Sequence, residues 1–228
     1  MNNIYIPTVS PDDWRRLLAD PDLHWRTGKS AKTLAHAWED ANGLPTEIAT
    51  LFTKSAVASI QKPELLIAIP EHKVSLPPPG GRASQNDVFA LARVSDGLVA
   101  ITIEGKVQEP FGPTIGTWKQ EMSDGKRERL NFIVDTLKIA KNIPENIRYQ
   151  LLHRTVSAVL EAKRFHASYA AMIVHAFGDQ PDSLADYVSF LKLFGANYSP
   201  DALVPIANVD GIQLCSGWAQ GNAQYLEC

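Results

Sequence analysis

Residues 87–106 read DVFALARVSDGLVAITIEGK, and the fold of the chain turns on them. DVFALARV and LVAITIEGK are rich in Val, Ile, Phe and Leu, which suit a pleated sheet, and Asp96-Gly97 between them is favoured in two-residue hairpin turns because it accepts positive φ. The expectation is a β-hairpin. With Asp96 and Gly97 as the loop, Ser95 pairs with Leu98, Phe89 falls opposite Glu104 and Asp87 opposite Lys106. Side chains alternate faces along a strand, so Asp87, Glu104 and Lys106 then project from one face. A three-residue turn of Ser95, Asp96 and Gly97 would instead pair Val94 with Leu98 and send Asp87 to the face away from Glu104. The two-residue turn gathers two carboxylates and an ammonium at one end of a sheet.

Hard divalent cations such as Mg²⁺ take oxygen ligands and usually keep several waters, which suits bridging to a phosphate. A neighbouring Lys can orient the attacking water and offset developing negative charge. An acid opening one strand and Glu-x-Lys closing the next resembles the PD-(D/E)XK nuclease-like superfamily. The motif stands here as Asn86-Asp87 and Glu104-Gly105-Lys106, with Asn86 in place of the nominal Pro. The resemblance implies hydrolysis of phosphodiester bonds in DNA, dependent on Mg²⁺ or Mn²⁺. It makes Asp87 and Glu104 metal ligands and gives Lys106 the placing of the water. It also implies a restriction-endonuclease-like αβββαβ core, a mixed central sheet flanked by helices. In this superfamily the first core helix often lends a Glu to the metal, here Glu39, and the helix after Glu-x-Lys supplies a Gln or a basic residue to substrate, here Gln150 and Arg154. Where both strands of a duplex are cut, the implied assembly is a homodimer.

Moving outward towards the N-terminus, Pro77-Pro78-Pro79-Gly80-Gly81-Arg82 is the strongest loop signal, stiff in one half and mobile in the other. It borders the proposed site and offers Arg82 to a phosphate. ELLIAIPEHKVSL before it reads as a strand, placed at an edge by Pro70. Helices are expected over residues 46–58 and in AKTLAHAWEDA, where Leu34, Trp38 and Ala41 share a face, Ser30 is a cap and Gly43 a stop. His24 to Ser30 reads as a loop. An extended start and a short helix capped at Ser10, with Trp14, Leu17 and Leu18 inward, complete this end.

Beyond the hairpin, Glu109 lies three residues past Lys106 as a further acid, and Pro110 to Pro113 stop the strand. A helical segment is expected from Trp118 to Ile143, and Pro144 opens a long helix, PENIRYQLLHRTVSAVLEAKRFHA. On it Ile147, Leu151, Ala158, Val159 and Ala162 mark a buried stripe. Gln150, Arg154, Ser157 and Glu161 share another stripe, which reads equally as a solvated face. SYAAMIVHAF is the expected fourth core strand, reached by a right-handed helical crossover. DSLADYVSFLKLFG reads as a helix, and LVPIANVDGIQLCSGWAQG as an added edge strand.

A chain of 228 residues, 45% hydrophobic and 21% charged, fits a single α/β domain, with a core at roughly 30–178 and additions at both ends. The net charge of −3 argues against a protein whose task is coating nucleic acid. Yet Lys119 to Ala167 holds ten Lys and Arg against six Asp and Glu, a local balance that suits an anionic partner. Cys215 and Cys228 have no metal-ligand spacing, and no secretion or membrane signal is visible, so a reduced cytoplasmic setting is expected. Against the nuclease stands a catalytically inactive nuclease-like fold acting as a binding or assembly module. A third possibility, an unrelated α/β enzyme on a small anionic substrate, would show itself in a different strand order. HWRTGKSAKTLAHAWED and YQLLHRTVSAVLEA are also similar to an uncharacterised bacterial family, which implies no substrate.

Overall fold

Two strands apolar on both faces, within residues 84–106, build the hairpin at the centre of a six-stranded mixed sheet. The computed structural model describes residues 8–228, so the extended start expected for the first residues lies outside it. In chain order, the one-turn helices α1 (Asp12–Arg15) and α2 (Pro21–His24) precede α3 (Ser30–Asp40) and α4 (Thr46–Thr53). A meander follows: β1 (Glu64–Val74), β2 (Ser84–Val94) and β3 (Gly97–Lys106). Then come α5 (Ile115–Lys119), α6 (Asp124–Leu137), α7 (Tyr149–Arg164) and β4 (Tyr169–Phe177). The chain ends with α8 (Pro181–Lys192), β5 (Val204–Val209), β6 (Ile212–Gly221) and a short 3-10 turn.

The strand order is β1-β2-β3-β4-β6-β5, antiparallel through β3, parallel from β3 to β4 and β6, and antiparallel again at the β5 edge. α7 makes the crossover that lets β4 run parallel to β3. Helices cover both faces, α3 and α4 on one, α6, α7 and α8 on the other. A central strand covered on both sides reads as a continuous apolar run, and every residue of β4 is buried. No helix among the described residues is long and apolar enough to cross a membrane.

The hairpin forms in a register two residues away from the one expected. Val94 pairs with Gly97 and Val88 with Ile103; Ser95 and Asp96 carry the turn, and Gly97 alone takes positive φ, 107°. The cause lies upstream, where Ser95 N–H donates to the Gln61 carbonyl at 3.1 Å and Asp96 N–H to that of Ser59 at 3.0 Å. A slip of two keeps every side chain on its face; a slip of one would not. Other expectations shift at their ends. α1 is a single turn that buries only Trp14, with Leu17 37% exposed, and α4 stops at Thr53. The segment from Trp118 divides into α5 and α6, while Tyr149 rather than Pro144 opens α7, because residue 148 still bridges to Thr114. The last extended segment is a hairpin whose inner strand, β6, lies beside β4, and α2 occupies part of the expected loop.

Candidate active site

Pairing of Pro70 with Val88 and of His72 with Asn86 sets Glu71 across from Asp87, and pairing of Val88 with Ile103 sets Asp87 level with Glu104. Three carboxylates thus stand in a row across β1, β2 and β3 at one end of the sheet. Glu104 and Lys106 point to the α7 face and are 2% and 4% exposed. Gly105 between them points the other way, where a Cβ would come 3.3 Å from Leu34 of α3. The backbone N–H of Gly105 donates to Asp87 Oδ2 at 2.7 Å, so the Asp87 carboxylate takes a place in the hydrogen-bonding of the strand end.

α7 lays its polar stripe inward. Arg154, Ser157 and Glu161 are buried and Gln150 is half-buried, which overturns the solvated-face expectation. Thr102 Oγ1 on β3 anchors the helix through the Arg154 carbonyl at 3.0 Å. Glu104 Oε1 then accepts from Lys106 Nζ at 2.6 Å and from Gln150 Nε2 at 2.7 Å, and Oε2 accepts from Arg154 Nε at 2.7 Å. The Arg154 guanidinium also reaches Asp87 Oδ1 at 3.8 Å and Ser84 Oγ at 3.3 Å. Lys106 Nζ stands 4.8 Å from the centre of the Phe111 ring.

Burial works to raise the Glu104 pKa, but Lys106 and Arg154 prevail and hold it below the usual carboxylate range. Asp87 goes the other way: burial first, then the charge of Glu104, push it well above its ordinary value. Glu71 is pushed up to about 7, chiefly by burial, against a hydrogen bond from Gln85. Burial of Arg154 would favour loss of its proton, yet Glu104 and Asp87 raise its pKa further.

Of the residues singled out in the sequence, Asp87, Glu104, Lys106, Gln150 and Arg154 are brought together. Glu39 is not. Its Oε1 accepts from Trp14 Nε1 at 2.7 Å and Thr8 Oγ1 at 2.6 Å, and nine residues of helix, about 13 Å, separate it from the end of α3 that meets Gly105. Glu109 caps that end of α3 instead, its Oε1 accepting from Ser30 N–H at 3.1 Å. Arg82 joins Gln150 and Arg154 on the wall of a pocket of about 580 Å³ beside the cluster. Sequence reasoning passed over Glu71, whose place depends on the register of β1. It also passed over Ser84 and His153, whose Oγ and Nδ1 lie 2.8 Å apart on that wall. Burial, with Arg154, Arg129 and Arg82 nearby, drives the His153 pKa well below its ordinary value. Among the described residues no set of three or more His, Cys, Asp or Glu side chains is arranged to hold a metal ion.

Residues 7–223 match a family described as a domain of unknown function, DUF6946, and the chain belongs to that family. No curated protein and no solved structure matches it.

Proposed function

We propose that the chain is a divalent-metal-dependent nuclease with a restriction-endonuclease-like core, hydrolysing phosphodiester bonds in DNA. The reading is carried by one observation, that Asp87, Glu104 and Lys106 converge with Gln150 and Arg154 at the start of β2 and the end of β3. The succession α3, β1, β2, β3, α7, β4, with β2 antiparallel to both neighbours and β3 parallel to β4, supports the αβββαβ assignment.

The donor set suits Mg²⁺ or Mn²⁺. Asp87 and Glu104 are hard oxygen donors on neighbouring strands; burial and then the negative charge of Glu104 raise the Asp87 pKa, and a cation between the two would offset that charge. Arg154 already answers that charge from between them, at 2.7 Å from Glu104 and 3.8 Å from Asp87. Asp87 and Glu104 would hold the ion, which when bound polarises a phosphoryl oxygen. Lys106, held by Glu104 beside Gln150, places the water and offsets charge on the phosphate. The basic wall that includes Arg82 draws in the polyanionic backbone.

A second reading, a nuclease-like module that binds without cutting, is favoured by the saturation of Glu104. Both of its oxygens accept from Lys106, Gln150 and Arg154, so in this reading Arg154 is the permanent cation of the site. Labelled single- and double-stranded DNA incubated with the chain in Mg²⁺, Mn²⁺ or EDTA, beside Lys106→Met, separates the two. Metal-dependent cutting that is lost in a variant with native circular dichroism is the expected result. No cutting in any condition, with no metal binding by calorimetry, sinks the nuclease and leaves the module.

A further inference from the structure

The pocket beside the charge cluster has a composition of its own. Arg82, Lys126, Arg129 and Arg154 line it, and no Asp or Glu does. Arg154 is spoken for by Glu104, but Arg82, Lys126 and Arg129 form no ion pair among the described residues. Three uncompensated cations around one concavity repel each other, and an anion relieves that repulsion.

The concavity is preformed. Arg129 clamps residues 76–82 by donating to the carbonyls of Pro77 at 2.8 Å, Arg82 at 2.6 Å and Leu76 at 3.1 Å. Gly81 rests on that guanidinium, where a Cβ would meet Nη2 at 2.9 Å. The loop is thereby tied to α6 and forms one wall of the pocket. Arg129 spends its hydrogen bonds on the loop and lends the pocket its charge, while Arg82 and Lys126 keep donors for a ligand. Lys126 Nζ gives one bond to the Trp118 carbonyl at 3.0 Å and stands 5.3 Å from the centre of that indole. Trp118 and Tyr149, both half-buried, stack at 4.4 Å and 17° on the same wall. The α6 start adds Ser123 and Gly125 to the lining, the end of a helix that favours anions. A volume of about 580 Å³ is that of a small-ligand site.

We propose that this pocket binds a nucleotide, its phosphate between Arg82 and Lys126 and its base against the Trp118–Tyr149 pair. Cations alone would suit any anion; the aromatic wall beside them selects an anion that carries a flat ring. The inference goes beyond hydrolysis and needs no metal ion.

Calorimetry on the full chain in EDTA and low salt, with thymidine 5′-monophosphate, thymidine and inorganic phosphate, tests it. The monophosphate should bind at least about tenfold more tightly than either part alone. Arg82→Gln and Lys126→Gln should each weaken it about tenfold and reduce the salt dependence by about one unit of slope. Trp118→Leu should weaken the nucleotide about tenfold and inorganic phosphate several-fold less, the ring also seating Lys126, a split that general loss of structure would not produce. Competition by an oligothymidylate with a terminal phosphate, but not by one without, assigns the pocket to a strand end; competition by neither assigns it to a free nucleotide. No saturable binding to a folded chain, or binding unmoved by the Arg82→Gln/Lys126→Gln double variant, overturns the proposal. Since all of this is read in EDTA, a chain that binds nucleotide and never cuts DNA sinks only the nuclease, and one that cuts DNA yet ignores the nucleotide sinks only this pocket.

Discussion

On the α7 face of the sheet Glu104 is held ionised by Lys106, Gln150 and Arg154; on the other face His175, level with Gly105 one strand away, meets a single acid, Glu47, at 2.6 Å. Both sites are dry. The first answers burial with more charge, setting Lys106 and Arg154 around one carboxylate. The second answers burial by giving up charge, since burial outweighs Glu47 and lowers the His175 pKa. In acid the α7 face is divided against itself: the contribution of Glu104, whose pKa is lowered, is lost as pH falls, while Asp87 and Glu71, whose values are raised, act in the other direction. Glu71, raised to about 7, holds its proton more firmly when folded, so its contribution is complete below its ordinary 4.5 and is lost as pH rises through about 7. His175 and Glu47 both have lowered values, so in their windows the unfolded chain binds more protons and stability is lost as pH falls.

The largest expected effect tests whether the charged network is a unit. Glu104→Gln leaves Lys106 and Arg154 buried with only Asp87, 3.8 Å from the guanidinium, to answer two cations, and the loss should be about 3–5 kcal/mol in urea unfolding at pH 7. A loss below about 1 kcal/mol would mean that water or movement relieves the site, and the contrast between the faces would collapse. Arg154→Met comes next, at about 2–3 kcal/mol, because Asp87 and Glu104 then face each other with Lys106 alone. Under the nuclease reading, Mg²⁺ or Mn²⁺ should raise the melting temperature of this variant more than that of the native chain. Glu71→Gln imitates the protonated acid at every pH. It should gain about 1–2 kcal/mol at pH 8, change little at pH 4, and so flatten the alkaline loss. A variant with the native pH profile would take Glu71 out of the row.

How far these sites could be read in advance depended on what each residue needed to know. The central hairpin, its face assignment and the convergence of Asp87, Glu104 and Lys106 follow from local alternation and survive the two-residue slip. The slip itself was not legible, because residues 59–61 satisfy the turn from outside the hairpin. Asp210-Gly211, with no such neighbour, does take positive φ at both residues, 53° and 90°, as its dipeptide leads one to expect. Gln150 and Arg154 could be placed on one stripe of α7 by counting, but the direction of the stripe depended on Glu104, some fifty positions earlier. Glu39 sits on the helix the resemblance assigned to it and still fails as a site residue, because Trp14 claims its carboxylate. Glu71 needed the β1 register, which no periodicity encodes.

The smallest effect belongs to the other face. Ionised Glu47 can only accept, so His175 Nε2 carries the proton and the buried, unpartnered Nδ1 is a lone pair, less costly to strand than an N–H. Glu47→Gln keeps an acceptor for Nε2–H and removes only the charge on it. At pH 7 the loss should be about 0.5–1 kcal/mol, several-fold below that of Glu104→Gln. Because the lowered pKa of Glu47 contributes stability only above its ordinary 4.5, the gap between native and variant should close as pH falls towards the lowered value. Urea unfolding at pH 7, 5.5 and 4 measures it. The acid loss from His175 should persist in the variant, since it arises from burial of the ring and not from its partner. If instead Glu47→Gln cost as much as Glu104→Gln, the ring would have to be charged when folded, and both faces would be burying charge by the same means.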